Sequence, residues 1–178
     1  MWRPPAGAEA ERDRYTDVML AVTRTPLSID ALSAAVESSI RSRGEGCGAL
    51  ASFLGVVRST HQGRAVRYLE YEAFDVLAVR VFERIRDEAR THWTDAQLAI
   101  VHRVGRLEIG EASIAIVAAA AHRAEAFAVC RYAIERVKQI APVWKHEFFE
   151  DGEAWVEGAV ADPEDTDARE RARAIACA

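Results

Sequence analysis

Two lysines, Lys138 and Lys145, stand seven positions apart in the stretch 134–149, IERVKQIAPVWKHEFF, on either side of Pro142. Proline lacks a backbone N–H and pushes the preceding residue towards extended geometry, so a helix is expected to stop near Ile140 or Ala141. In the strand expected after it, Val143, Lys145, Glu147 and Phe149 point one way and Trp144, His146 and Phe148 the other. A lysine on a last helical turn and a lysine on the next strand can then face one pocket. Further cations fall at element ends. Arg58 closes an apolar stretch before a polar loop, and His122 and Arg123 sit where an apolar stretch meets a helical pattern. Unpaired N–H groups and the macrodipole favour an anion at such a helix start. Arginine offers bidentate contact to phosphate, and lysine a point charge or a desolvated amine. If these residues converge, they form a receptor for an anionic substrate.

Each residue also has a plainer reading. Both lysines can be solvated, the usual fate of lysine. Arg58 can simply end an edge strand, His122 can cap or pack, and Arg123 can be solvated. Glu147 can orient Lys145, act as a base, or be paired surface charge. His61, in the loop STHQGR, is expected to be exposed, and His102 and Arg103 to be structural. Trp144 and Trp155 are expected to pack, or to stack on a flat ligand beside a pocket.

The elements that must position these groups follow from the hydrophobic pattern. A first strand is expected over 17–23 and a helix from Ser28, a good N-cap, up to Gly44. ALASFLGVVR (49–58) reads as a buried strand, in which Gly55 marks a bulge or a close backbone approach. STHQGR joins it to a strand over 65–72 as a hairpin. A helix capped by Asp75 runs to about Thr91, with Leu77, Val81, Phe82, Ile85 and Ala89 inward and Glu88 on a solvated face. Strands follow at 98–102 and 112–120, joined by HRVGRLEIGE as a turn. A third helix starts at His122 and Arg123, and strands at 143–149 and 154–156 come after it. The tail from Asp162 is charged and expected to be frayed or loosely helical. Strands meeting mostly through hairpins, with helices between, give an α+β fold with a largely antiparallel sheet. The hairpin after Pro142 is expected to form a small extra sheet.

Composition narrows the function. The chain has 178 residues, half of them hydrophobic and 29% charged, with a net charge of −5. That suits one domain with a real core, and an acidic balance does not suggest a nucleic-acid surface. No apolar run approaches the length of a membrane span. The stretch MWRPPAGAEAERDRY reads as a disordered leader without a signal core. Cys47, Cys130 and Cys177 are widely spaced, which suggests neither a disulfide framework nor a zinc site and fits a reducing cytoplasm. Cys130 is expected to be a small core residue. The chain has no GK[ST] phosphate loop, HExxH or GxSxG.

Several stretches together are specific: GALASFLGVVRSTHQGRAV (48–66), LEYEAF (69–74), HRVGRLEIGE (102–111), AHRAEAF (121–127) and VKQIAPVWKHEFFEDGEAWVEG (137–158). In content, order and spacing they resemble the MoaE family, the large catalytic subunits of molybdopterin synthase. The resemblance covers roughly residues 17–158, leaving a leader (1–16) and a charged tail (159–178) outside. It implies an α/β hammerhead fold with a small additional antiparallel β subdomain. It implies a homodimer, each copy binding a small ubiquitin-like MoaD-type sulfur carrier, so that a heterotetramer forms. The carrier's Gly-Gly tail, charged as a thiocarboxylate, enters a pocket of the large subunit. Two sulfurs pass to cyclic pyranopterin monophosphate, giving the dithiolene of molybdopterin, with no metal or redox cofactor. Lys138 and Lys145 match the family's key lysines. Val56, Val57, Arg58, His122, Arg123, His146 and Glu147 match its substrate-pocket positions, with His122 and Arg123 supplied by the same copy or by the other subunit. The chain departs from some relatives at Val56 and Ala159, where they carry Lys and Arg. Two other readings remain: a non-catalytic module binding anions or nucleotides, and a scaffold that only docks the carrier.

Overall fold

A computed structural model of the chain describes residues 19–42, 46–156, 158 and 161–178. The elements run β1 (Leu20–Thr23), α1 (Ile29–Ser42), β2 (Ala49–Val56), β3 (Thr60–His61), β4 (Arg64–Ala73), α2 (Asp75–Arg90), β5 (Gln97–Arg103), β6 (Gly105–Glu108), β7 (Ala112–Ala120), α3 (Arg123–Ile140), β8 (Val143–Phe149), β9 (Gly152–Val156) and α4 (Thr166–Ala176). The leader lies outside the described residues.

The first sheet has the order β1-β5-β7-β2, with β1 parallel to β5 and the other pairs antiparallel. Both of its faces are covered, which explains the continuous apolar runs of β5 and β7. Ile114, Ile116 and Ala118 of β7 pack with α2 and α3, while Ala115, Val117 and Ala119 pack with α1. The second sheet has the order β3-β4-β8-β9, and β6 also pairs with β4. Val57, Val66, Leu69, Leu107 and Phe149 form its own small core. The fold is α+β as expected, and the extra sheet is larger than one hairpin.

Local signals account for much of this. The Ser28 hydroxyl accepts from the Ala31 N–H at 3.2 Å, capping α1. The ladder of β2 slips between Gly55 and Val56, and a Cβ on Gly55 would lie 2.7 Å from Ile114 Cγ2. Gly55 therefore serves both a bulge and a close approach.

Several expectations change. β2 is not a buried strand: it lies at the sheet edge, and Leu50, Phe53, Leu54 and Val56 are exposed. Leu77 of α2 is exposed rather than inward. HRVGRLEIGE is not only a turn: it contains β6, four residues long and too short to show a periodicity in sequence. Asp75 is the first residue of α2 rather than its cap, and its carboxylate accepts from Arg24 at 2.9 Å. Glu88 is buried, not solvated: it accepts from Arg136 at 2.9 and 3.0 Å and from the Tyr132 hydroxyl at 2.8 Å. The C-terminal segment forms a regular helix, α4, whose Asp165 carboxylate caps it by accepting from the N–H groups of Asp167 and Ala168. Ala168, Ala172 and Ala176 of α4 are buried, and α4 packs on α3. An alanine stripe on a highly charged helix is easily mistaken for a solvated segment, because alanine carries little hydrophobic signal.

Candidate functional site

Pro142 ends α3 at Ile140, and Ala141 takes extended geometry, so the chain enters β8 directly. The last turn of α3 and the first half of β8 thereby form two walls of a cleft of about 630 Å³. The end of β2, the start of β7 and the inner face of β4 close it. Arg58, Lys138, Lys145 and Glu147 all line it, as does Val56. Three basic side chains against one carboxylate leave the cleft cationic in a chain of net charge −5. Arg58 and Lys138 have no ion-pair partner among the described residues.

Lys145 and Glu147 share a face of β8, as alternation requires. The Lys145 ammonium lies 2.6 Å from Glu147, whose side chain is only 3% exposed. The other Glu147 oxygen accepts from His61 Nδ1 at 2.5 Å. Burial alone would raise the Glu147 carboxyl, but the bonds from Lys145 and His61 outweigh it and hold the group below its usual range. Glu147 is therefore a buried, doubly bonded anion rather than paired surface charge. His61, expected to be exposed, is part-buried in the cleft wall. That contact is non-local and left no trace in sequence.

Two more cleft groups were not singled out in sequence. Tyr71 sits on β4 with its ring edge against His102. Burial pushes its phenol up, the Glu147 charge adds to that, and Ser113 and Arg58 partly offset it. Ser113 of β7 donates to the Gly55 carbonyl at 3.2 Å, tying down the bulge at the cleft floor. His102 is buried, shares a hydrogen bond between Nδ1 and the Arg103 carbonyl, and is pushed down by burial to about 4, so it is neutral near pH 7. Arg103 is paired with Glu111 at 3.0 Å, which fits the structural role expected of both residues.

The remaining candidates lie elsewhere in this chain. The Val57 side chain is buried in the small core of the second sheet, not in the cleft. His146 lies on the opposite face of β8, stacked on Trp155 and against Phe148. Trp155 and Trp144 are exposed. His122 and Arg123 are exposed at the start of α3, and the Glu125 carboxylate accepts from the His122 N–H at 3.3 Å. Lys138 is fifteen residues beyond Arg123 on the same helix. At a rise of about 1.5 Å per residue the two ends lie about 22 Å apart. The His122–Arg123 pair does not reach the cleft of its own chain.

Fold and cleft together define an α+β protein with a cationic cleft between its two sheets and the end of one helix. A family model described as MoaE protein matches residues 22–140. The chain belongs to the MoaE family. It is 40% identical over 135 residues to the molybdopterin synthase catalytic subunit of Bacillus subtilis, covering 76% of this chain and 82% of that protein. The crystal structure of molybdopterin synthase from Staphylococcus aureus superposes with a TM-score of 0.67 at 33% identity, covering 78% of this chain and 97% of that one. A complex of subunits 1 and 2 of molybdopterin-converting factor from Helicobacter pylori shares the fold, with a TM-score of 0.64 at 22% identity over 79% of this chain and 91% of that one.

Proposed function

We propose that this chain is the catalytic subunit of a molybdopterin synthase, a sulfurtransferase of molybdenum cofactor biosynthesis. It takes sulfur from the C-terminal thiocarboxylate of a small MoaD-type carrier and places it on cyclic pyranopterin monophosphate, forming the dithiolene. The observation that carries this reading is the convergence of Arg58, Lys138 and Lys145 on one cleft in a chain of this family. Both reactants are anionic, and bringing them together needs concentrated positive charge.

Lys138 is the central group: it positions the thiocarboxylate and stabilises charge or moves protons during sulfur attack. Its lack of an ion-pair partner among the described residues suits that task. Lys145 assists from β8, held by Glu147, and Arg58 and Val56 form the wall against the substrate. The carrier tail enters extended, where little beyond glycine fits. Residues 17–158 carry the activity, in the cytoplasm, and α4 braces α3 from behind.

The reading includes a homodimer, within the heterotetramer that two carriers complete. Since His122 and Arg123 stand at the far end of α3 from Lys138, a second copy presents them to this cleft for phosphate and pterin. Val57 and His146, which face away from the cleft, contribute through the backbone and the packing of β8. The open edge of β2, with Leu50, Phe53, Leu54 and Val56 exposed, offers apolar surface for such an assembly.

The test is to mix the protein with a thiocarboxylated MoaD-type carrier and cyclic pyranopterin monophosphate and to assay dithiolene. Formation that requires the thiocarboxylate supports the reading. Tight binding of the pterin phosphate without turnover would identify a binding module instead.

A further inference from the structure

We propose that His61 is a positioning residue for Lys145: through the buried Glu147 carboxylate, its imidazole fixes the ammonium in the cleft. The proposal rests on the functional reading above and adds to it a residue that the reading does not use. Its basis is geometric. Glu147 holds Lys145 at 2.6 Å with one oxygen and His61 Nδ1 at 2.5 Å with the other. A carboxylate can only accept, so Nδ1 carries the proton and the ring tautomer is set by Glu147.

The hairpin itself is short. β3 is two residues long, and the turn between Thr60–His61 and Arg64–Ala65 runs through Gln62 and Gly63, both in the left-handed region at φ 50° and 79°. Gly63 suits such a turn, but a left-handed glutamine is strained relative to glycine, so the turn is weaker than one with two permissive residues. Beside the backbone bond from the Glu150 N–H to the Ala65 carbonyl at 3.1 Å, two side chains anchor its tip to the second sheet: His61, through Glu147, on one side and Arg64 on the other. Arg64 bonds Asp151 at 2.8 Å, and its guanidinium lies over the Phe149 ring. Of these two anchors, only His61 points into the cleft. The charged or titratable groups around Glu147 are Lys145 on its own strand, His61 on β3 and Tyr71 on β4, with Arg58 and Lys138 across the cleft. A carboxylate bonded on both oxygens cannot swing away from Lys145. One bonded only by Lys145 can rotate with it, and the ammonium then loses its fixed place opposite Lys138.

His61→Leu removes the bond, and His61→Asn keeps a donor near the Nδ1 position. Single-turnover sulfur transfer from a loaded carrier is expected to fall about 10- to 100-fold in His61→Leu, with the KM for carrier changing less than about 3-fold. His61→Asn is expected to recover most of the rate. In a Lys145→Ala background, His61→Leu is expected to add nothing further, because both changes remove the same function. Additive losses in the double variant, or an unchanged rate in a folded His61→Leu protein, would overturn the proposal. A merely structural role for the hairpin predicts the additive result. Independently of turnover, ¹⁵N-labelled protein is expected to show a protected His61 Nδ1–H signal that disappears in Glu147→Ala. Absence of that signal in the unmodified protein refutes the contact. If the signal is present but the unmodified protein transfers no sulfur, it is the functional reading that fails.

Discussion

Lys145 and Glu147 stand two positions apart on β8 and meet on its inner face, the ammonium 2.6 Å from a carboxylate that has almost no solvent contact. The pair fixes a cation at the mouth of a cleft whose other cations, Arg58 and Lys138, have no ion-pair partner among the described residues. One lysine is thus held in place by a buried carboxylate and the other is not. Glu147→Gln keeps the shape and removes the charge. Sulfur transfer is expected to drop about 10- to 100-fold as Lys145 loses its fixed orientation. Rates measured under single-turnover conditions decide it, and an unaltered rate means that Glu147 does not hold Lys145 for catalysis.

Lys138→Ala is expected to leave the thermal unfolding midpoint nearly unchanged, because the side chain is exposed on the last turn of α3. Transfer is expected to fall by at least about 100-fold, the scale for losing a group that meets developing charge. Substantial residual turnover with loaded carrier would remove Lys138 from the centre of the mechanism.

The 22 Å or so between the two ends of α3 makes a prediction about subunits. If His122 and Arg123 act on the other copy's cleft, a mixed dimer of Lys138→Ala and Arg123→Ala chains contains one fully intact site. Unfolding and refolding the two inactive proteins together is then expected to restore part of the activity. If the groups belonged to the same chain's site, both sites of the mixed dimer would carry a defect and nothing would be regained.

Burial lowers His102 to about 4 in the folded chain, against roughly 6.5 when unfolded. Between those values the unfolded chain takes up a proton that the folded chain refuses. Stability is therefore full above about pH 6.5, falls as the pH drops towards 4, and loses nothing more on this account below that. The contribution is of the order of 3 kcal/mol. Glu147 and Glu88, both held low, act in the same direction at more acidic pH. Denaturant titrations at several pH values are expected to show a shallower slope over this window for His102→Asn than for the unmodified chain.

Arg136 has no solvent exposure and depends on Glu88 for its counter-charge, with Gln139 as a further acceptor at 2.8 Å. Glu88→Ala strands that guanidinium, and the loss is expected to be about 3–5 kcal/mol, as for other broken buried pairs. Arg136 also donates to the Pro163 carbonyl at 3.4 Å, so the same variant is expected to expose the linker before α4 to proteases. Urea denaturation and limited proteolysis measure the two effects separately.

What the linear order of residues settled about this protein is local or repeated. The break at Pro142, the alternation that puts Lys145 and Glu147 on one face, the cap at Ser28 and the bulge at Gly55 all depend on neighbours, and the motif spacing marked the family. Only the tertiary structure decided which polar groups leave water. Glu88 sat on a helix face that looked solvated, yet α3 brings Arg136 and Tyr132 onto it from 44 to 48 residues away. His61 looked like a loop residue until β8 placed Glu147 beside it, 86 residues on. The tertiary structure also brought Arg58 and Lys138 to one cleft and kept His122 and Arg123 a helix-length from Lys138. Helical and strand periodicities are encoded in steps of a few residues, so a sequence displays them. Desolvation and charge pairing depend on contacts that exist only once distant segments have packed.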